Sequence, residues 1–263
     1  MIPRVMTVAG SDSGGGAGIQ ADIKTLTSLN VFATSVIVAL TAQNSHEVTG
    51  ILPVSEEFVG KQMDAILSDM GTDSAKTGML FSSEIIHTVY RKFVQYDVKN
   101  VVIDPVMISK SGAILLKDDA VKSLMDELGK IATLITPNIP EGEKMSGISI
   151  KNMEDRIRAA KKIYEITGSS VLLKGGHSSG DYSTDILYTH KGEMEITRKR
   201  IHTDNTHGTG DTYSSAIAAY LAKGKNLEDS VNLARDYLQG AIENSFPMGR
   251  GYGSLCHFWK DVK

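Results

Sequence analysis

Short runs of β-branched and aliphatic residues alternate along the chain with longer stretches in which apolar positions recur every three or four residues. The short runs read as buried strands and the long ones as amphipathic helices. "RVMTVAG" from Arg4 predicts a first strand, followed by a glycine-rich turn and a helix from about Ala17 to Leu29. "TSVIVALTAQN" predicts a second strand. Ser55 then caps a helix with Val59, Met63, Ile66 and Met70 along one face.

"SAKTGM", "VKNVVIDPVM", "ATLITPN" and "SSVLLKGGH" continue the strand series, the second of them ended by Asp104-Pro105. A helix capped by Asn152 turns Met153, Ile157, Ala160 and Tyr164 inward, and "DILYTHKGEMEITRKRI" predicts an edge hairpin about Lys191-Gly192. A helix after Asp211 carries Ile217, Ala218, Leu221 and Ala222; a last one starts at Asn226 and shows Leu227, Val231, Ala234, Leu238 and Ala241. Such alternation predicts an α/β fold with a mostly parallel central sheet and helices on both faces. No linker, low-complexity segment or fixed repeat interrupts it, so residues 1–263 read as a single domain.

Composition narrows the class by exclusion. Lys plus Arg is 28 against 31 for Asp plus Glu, giving a net charge of −3 and no electrostatic footprint for nucleic acid. The one dense basic run, Arg198 to Arg200, reads as a solvated strand end. No stretch approaches the roughly 18 apolar residues that cross a bilayer, and the N-terminal residues lack a secretion-signal pattern. A single cysteine, Cys256, excludes an internal disulfide and points to a reducing, cytoplasmic setting. The seven histidines show no zinc-ligand spacing.

In open parallel sheets, ligands bind beyond the carboxyl ends of the strands. The segments that follow the predicted strands are "AGSDSGGGAG", "TAQN", "TGM", "DPVM", "TPNIPE" and "KGGH", so polar and glycine-rich residues collect on one rim. The first lacks the ending of a P-loop and the distant acid of a dinucleotide fingerprint. It reads either as a plain strand-to-helix turn or as a close backbone approach to a small flat substrate, with Gly10 and Asp12 touching it. Glu141, three residues after Asn138, is either a surface carboxylate at a helix start or a Mg²⁺ ligand, with Asp104 a second, water-mediated contributor or merely a turn residue. Lys174 is a candidate phosphate partner or a snorkelling lysine. Gly208, Thr209 and Gly210 precede a helix whose free N–H groups form an anion site, and Asp211 falls in its first turn. The partial positive charge of that helix start is expected to keep Asp211 ionised.

Taken together, "AGSDSGGGAGIQADIKT", "ALTAQN", "AKTGM", "VVIDPVMISKSG", "LITPNIPE", "LLKGGH" and "NTHGTGDTYSSAIAA" resemble the ribokinase superfamily. Within it they closely resemble the hydroxymethylpyrimidine and phosphomethylpyrimidine kinases of thiamine synthesis, with the pyridoxal kinases beside them. The matching words run from Ala9 to Ala219, and "GYGSLCHFW" fits a looser family tail. The resemblance implies a three-layer α/β fold, ATP as co-substrate with Mg²⁺, and phosphorylation of a small pyrimidine or pyridoxal substrate by a homodimer. It further implies Asp211 as the base, Gly208 to Gly210 as the anion hole, and Asn138 with Glu141 as a Mg²⁺–phosphate motif. Gln43, Met79, Gly10, Ala17 and Val106 would line the substrate pocket.

Two positions depart from the pattern. Asp211 stands where many thiamine-pathway members carry Cys, and Gln43 where some relatives carry Glu. Asp ionises near pH 4 and Cys near 8.5, roughly, so the first change preserves a base at neutral pH. A non-catalytic ligand sensor on the same fold would have no need of an intact Gly-Thr-Gly-Asp and Asn-x-x-Glu.

Overall fold

A computed structural model describes residues 2–108, 116, 118–176 and 180–261. Its centre is a nine-stranded sheet in the order β3-β2-β1-β4-β5-β6-β7-β8-β9. The strands are β1 (Arg4–Asp12), β2 (Phe32–Gln43), β3 (Val48–Pro53), β4 (Ser74–Thr77), β5 (Val101–Ile103), β6 (Leu134–Ile135), β7 (Ser170–Leu173), β8 (Tyr182–Thr189) and β9 (Gly192–Lys199). Pairing is parallel from β2 through β1, β4, β5 and β6 to β7. It is antiparallel at β2–β3, β7–β8 and β8–β9. The predicted hairpin is present, with β9 as one sheet edge.

The period-two rule for strands sorts the core into two faces. Val5, Val102, Leu134, Leu172 and Leu187 join one cluster with residues of α1 (Gly18–Ser28), α8 (Thr209–Ala222) and α9 (Leu227–Glu243). Met6, Val101, Ile103, Ile135, Val171, Leu173 and Ile186 join the other. Against that second face pack α2 (Glu56–Leu67), α3 (Ser83–Gln95) and α7 (Met153–Thr167). A helical stretch also lies there, made of α4 (Asp118–Ser123), a π-helical turn (Leu124–Leu128) and α5 (Gly129–Ile131). The result is the expected three layers.

Side chains close the predicted helix starts. Ser55, Asn152 and Asn226 accept hydrogen bonds from Phe58, Asp155 and Asp229 main-chain N–H groups. In α7, Ala160 is buried and Met153, Ile157 and Tyr164 pack against the core as predicted, while Ala159 and Ile163 complete the inner face. Met70 is a correction. α2 ends at Leu67, the chain turns at Gly71 with φ +64°, and Met70 is left 40% exposed. β3, α3 and the helical stretch over 118–131 are additions to the predicted series.

Candidate active site

The carboxyl ends of the parallel strands open into a cavity of about 770 Å³, and every predicted site residue lines it. On the sheet side these are Gly10, Asp12, Gln43, Met79, Asp104 and Val106. The helix starts supply Ala17, Asn138, Glu141, Gly208, Thr209, Gly210 and Asp211, and the end of β7 supplies Lys174.

Asp12 closes β1 and organises the glycine turn after it. Its carboxylate is buried and accepts from Gly14 N–H (2.8 Å), Gly16 N–H (3.0 Å), Ala17 N–H (2.9 Å) and His207 Nε2 (3.0 Å). Burial alone would raise its pKa, but His207 and the turn amides more than offset that and hold it below the usual carboxylate range. With four donors already engaged, Asp12 shapes the turn as well as lining the cavity. Gly10 lines it too. A Cβ there would lie 2.4 Å from Met79 Cε, so the Met79 thioether covers the backbone at this point.

Gln43 reaches the same region from the end of β2. Its Nε2 lies 3.3 Å from His207 Nε2, and its Oε1 lies 3.2 Å from Thr41 Oγ1. The His207 nitrogen that donates to Asp12 has no lone pair for the Gln43 amide, and the single Thr41 proton also faces Ser11 O at 2.9 Å. Gln43 therefore keeps unmet hydrogen-bonding capacity at the cavity wall.

Asp211 sits in the first turn of α8, which begins at Gly208. Gly208 has φ +79°, and a Cβ there would overlap Gly16 O at 1.9 Å, so glycine is required twice over. The first amide bonded within α8 is Thr212 N–H, to Gly208 O (2.9 Å). Thr209 N–H makes a long contact back to Thr206 O (3.4 Å), which leaves the Gly210 and Asp211 N–H groups at the open end of the helix. From the C-terminal segment, buried His257 meets Thr212 Oγ1 at 3.1 Å; burial pushes its pKa down to about 4, so it is neutral at pH 7.

Lys76 is what the sequence did not disclose. It lies in β4 with no solvent exposure, and its Nζ donates to Asp211 Oδ1 (2.9 Å) and to both oxygens of Asp22 (2.8 and 3.0 Å). Gly18 N–H meets the other oxygen of Asp211 at 3.1 Å. Burial would raise the Asp211 pKa, yet Lys76, followed by the Gly18 amide and His207, brings it below the ordinary value. The carboxylate is ionised, as expected, but a buried lysine rather than the helix start alone is the cause. A lysine inside a short strand of otherwise small residues, "SAKT", was the available signal.

A second charged group lies against Gly210. Lys174 Nζ donates to Asp104 Oδ1 (2.7 Å), Thr136 Oγ1 donates to the same oxygen (3.1 Å), and a Cβ on Gly210 would come 3.0 Å from Asp104 Oδ2 and 3.4 Å from Lys174 Nζ. The helix α6 (Ile139–Ser146) starts beside it with a capping box, in which Asn138 Oδ1 accepts from Glu141 N–H (2.9 Å) and Glu141 Oε2 from Asn138 N–H (2.8 Å). Glu141 is buried rather than on the surface, and burial together with Asp104 pushes its pKa up to about 7 against the opposing pull of Lys174 and the main-chain amides.

Two acids thus share one lysine next to an anion site. That donor set suits Mg²⁺ carried in by phosphate oxygens, because Mg²⁺ keeps several waters and takes one or two carboxylates. Among the described residues no cluster of three His, Cys, Asp or Glu forms a dedicated metal cage.

A buried carboxylate at a helix start, open main-chain amides beside it and a glycine-lined pocket at the rim of this three-layer sheet fit a small-molecule kinase of the ribokinase type. Comparison with known proteins makes this specific. The chain belongs to the phosphomethylpyrimidine kinase family, whose model matches residues 12–256. It is 43% identical to the hydroxymethylpyrimidine/phosphomethylpyrimidine kinase of Bacillus subtilis over 98% of this chain and 95% of that protein. It is 47% identical to a thiamine biosynthesis bifunctional protein of Geobacter sulfurreducens, covering 96% of this chain but only 52%, about half, of that longer relative. Among solved structures, an ADP complex of Bacillus subtilis pyridoxal kinase superposes with a TM-score of 0.93 at 34% identity, each chain fully covered. A phosphomethylpyrimidine kinase from Clostridium difficile gives 0.81 at 40% identity, covering 92% of this chain and all of that one.

Among the described residues, no helix is long and apolar enough to cross a membrane.

Proposed function

We propose that this kinase transfers the γ-phosphoryl group of ATP to the hydroxymethyl oxygen of 4-amino-5-hydroxymethyl-2-methylpyrimidine, and to the phosphate of the product, in thiamine diphosphate synthesis. The observation that carries this reading is the place of Asp211, ionised, within the same turn as the free amides of α8 and in a cavity that Gln43 also lines. Phosphoryl transfer passes through a loose transition state, so positioning and charge stabilisation matter more than covalent help. The Gly210 and Asp211 amides and the Lys174 ammonium receive the moving phosphoryl group, and Asp211 takes the proton of the attacking hydroxyl. Glu141, with Asp104, would hold Mg²⁺, which neutralises phosphate charge when bound. The pyridoxal kinase likeness reports a shared fold. Ring choice falls to residues such as Gln43, whose amide complements the donor–acceptor edge of an aminopyrimidine.

Purified protein incubated with ATP, Mg²⁺ and, separately, the pyrimidine alcohol, its monophosphate and pyridoxal should phosphorylate the two pyrimidines in preference. Turnover of pyridoxal alone would overturn the substrate assignment. In the same assay Gln43→Ala should raise KM for the pyrimidine by about 5- to 150-fold, the equivalent of roughly 1–3 kcal/mol for unpaired polar groups. An unchanged KM with weakened ATP binding would place Gln43 elsewhere.

Glu141→Gln keeps the shape and the Asn138 contact but removes the charge. Activity should fall and be partly restored by extra Mg²⁺, because the lost charge weakens the cation site. Normal rates at every Mg²⁺ concentration would show that Glu141 is only a helix cap.

A further inference from the structure

Lys76, Asp22 and Asp211 form a buried charge triad drawn from three elements, β4, α1 and α8. The ammonium has three protons and gives two to Asp22 and one to Asp211. Asp22 is fully buried and takes two more bonds, from Thr7 Oγ1 of β1 (2.5 Å) and Ser215 Oγ of α8 (2.7 Å). Alternation in β4 puts Ala75 in the cluster on the α2 and α3 side, so Lys76 occupies a core position on the α1 and α8 side. An apolar residue there would avoid the several kcal/mol that each buried ion costs.

Of the three members, Asp22 and Lys76 have no side-chain exposure, and Asp211, at 15%, reaches the cavity. Among the members of the triad, it is therefore Asp211 that brings the two hidden charges into contact with the cavity. Taking the phosphoryl transfer proposed above as the reaction, consider the proton it releases. The O–H bond of the acceptor breaks as its oxygen joins the γ-phosphorus of ATP, the bond from that phosphorus to the bridging oxygen breaks with ADP as the leaving group, and the proton passes to an Asp211 oxygen. Before transfer the triad carries two negative charges and one positive; afterwards it is neutral, as Lys76 with Asp22. If Lys76 faced Asp211 alone, the same transfer would strand an unpaired buried ammonium.

We propose that Asp22 is a positioning residue that makes Asp211 a usable base, by keeping Lys76 paired after Asp211 has accepted the substrate proton. Lys76 keeps Asp211 ionised and aimed in the resting enzyme; Asp22 keeps that hold from becoming too strong.

The charged groups facing Asp22 are Lys76 from β4 and Asp211 from α8, with the hydroxyls of Thr7 and Ser215 as its other partners. Burial raises its pKa to about 6, against the pull of Lys76. Below that pH a protonated Asp22 leaves Lys76 to Asp211, so kcat of the wild type should step down as pH falls through about 6.

The test is steady-state kinetics with ATP, Mg²⁺ and the pyrimidine alcohol from pH 5 to 8, beside melting curves. Asp22→Asn should lower kcat at pH 7.5 by about 10- to 100-fold, leave KM for the pyrimidine unchanged, and abolish the step. Asp22→Glu should restore part of kcat. Thr7→Val, nearly isosteric, removes a donor that stabilises the ionised Asp22 and should move the step to higher pH; it decides the matter if Asp22→Asn does not fold. A step that stays in place in Thr7→Val would overturn the proposal, as would an Asp22→Asn enzyme with near-normal kcat. So would a fall in kcat that comes with a matching rise in KM and a lowered melting temperature. A wild type that turns over none of the three acceptors would instead overturn the substrate assignment.

Discussion

Asp211→Asn is expected to lower kcat by about 10²–10⁴-fold, the usual range for loss of a general base, while nucleotide affinity changes little. Asparagine keeps the size of the side chain and can still accept from Lys76, but its single amide oxygen cannot also serve Gly18 N–H; in Asp211 those two donors hold separate oxygens at 2.9 and 3.1 Å. What it lacks is a place for the substrate proton. The fold should tolerate the change, because Lys76 retains Asp22 and a buried pair of opposite charges remains where a triad stood. Steady-state rates, titration with a non-hydrolysable ATP analogue and a melting curve on this one variant are sufficient. If Asp211 served only to favour the helix start, the variant would lose about 1 kcal/mol of stability and keep a near-normal kcat; that result would remove the catalytic assignment.

Gly208→Ala should be damaging in a different way. The residue adopts φ +79°, where an L side chain costs about 1–3 kcal/mol, and its Cβ would collide with Gly16 O, 1.9 Å away. Backbone lies on both sides of that contact, so the start of α8 and the glycine turn after β1 must move apart. That movement displaces the Gly210 and Asp211 amides, and donors misplaced by about 1 Å lose roughly a hundredfold in rate. It also pulls His207 from Asp12, since His207 packs against Gly16. The expected outcome is a kcat reduced by about 10²–10³-fold and a lower melting temperature. Gly147→Ala is the control: that glycine is a helix cap with φ +71° and nothing within 4 Å of a Cβ, so it should lower stability while leaving kcat alone. Equal activity of the two variants would show that the contact with Gly16 has no part in shaping the anion site.

Much of the architecture was legible because its signals are local. Alternation in "RVMTVAG" and "VKNVVIDPVM" marks buried strands, Asn152 and Asn226 mark helix starts, and a lysine–glycine pair marks the hairpin turn. The helix α3 was legible too, with Ile85, Ile86, Val89 and Phe93 buried on one face, although it stayed outside the predicted series. β3 was harder, since its burial pattern is mostly exposed and Gly50 and Pro53 interrupt its apolar residues. Met70 continued a helical pattern past the point where the backbone turns, because periodicity carries no information about where a chain leaves a helix.

The rim of the site was equally readable. Turn residues after parallel strands face one side of the sheet whatever the rest of the chain does, and all the predicted residues do line one cavity. Asp22 and His207 were not singled out, although both sit inside quoted motifs. In "GIQADIKT" an aspartate four residues from a helix start reads as a solvated position, and nothing nearby reveals that it is buried against Lys76, 54 residues away.

By itself, then, the sequence determined the order of most elements, the layers they form, and a rim bearing Gly10, Gln43, Asn138, Glu141, Lys174 and Asp211. Only the tertiary structure decided which charges meet. It turned Asp12 onto its own loop and His207, paired Lys174 with Asp104, and placed Lys76 between two carboxylates. The reason is physical. Element formation follows the period of apolar residues along the chain, whereas the charge state of a carboxylate depends on burial and on partners within a few ångströms, which the fold brings from distant segments.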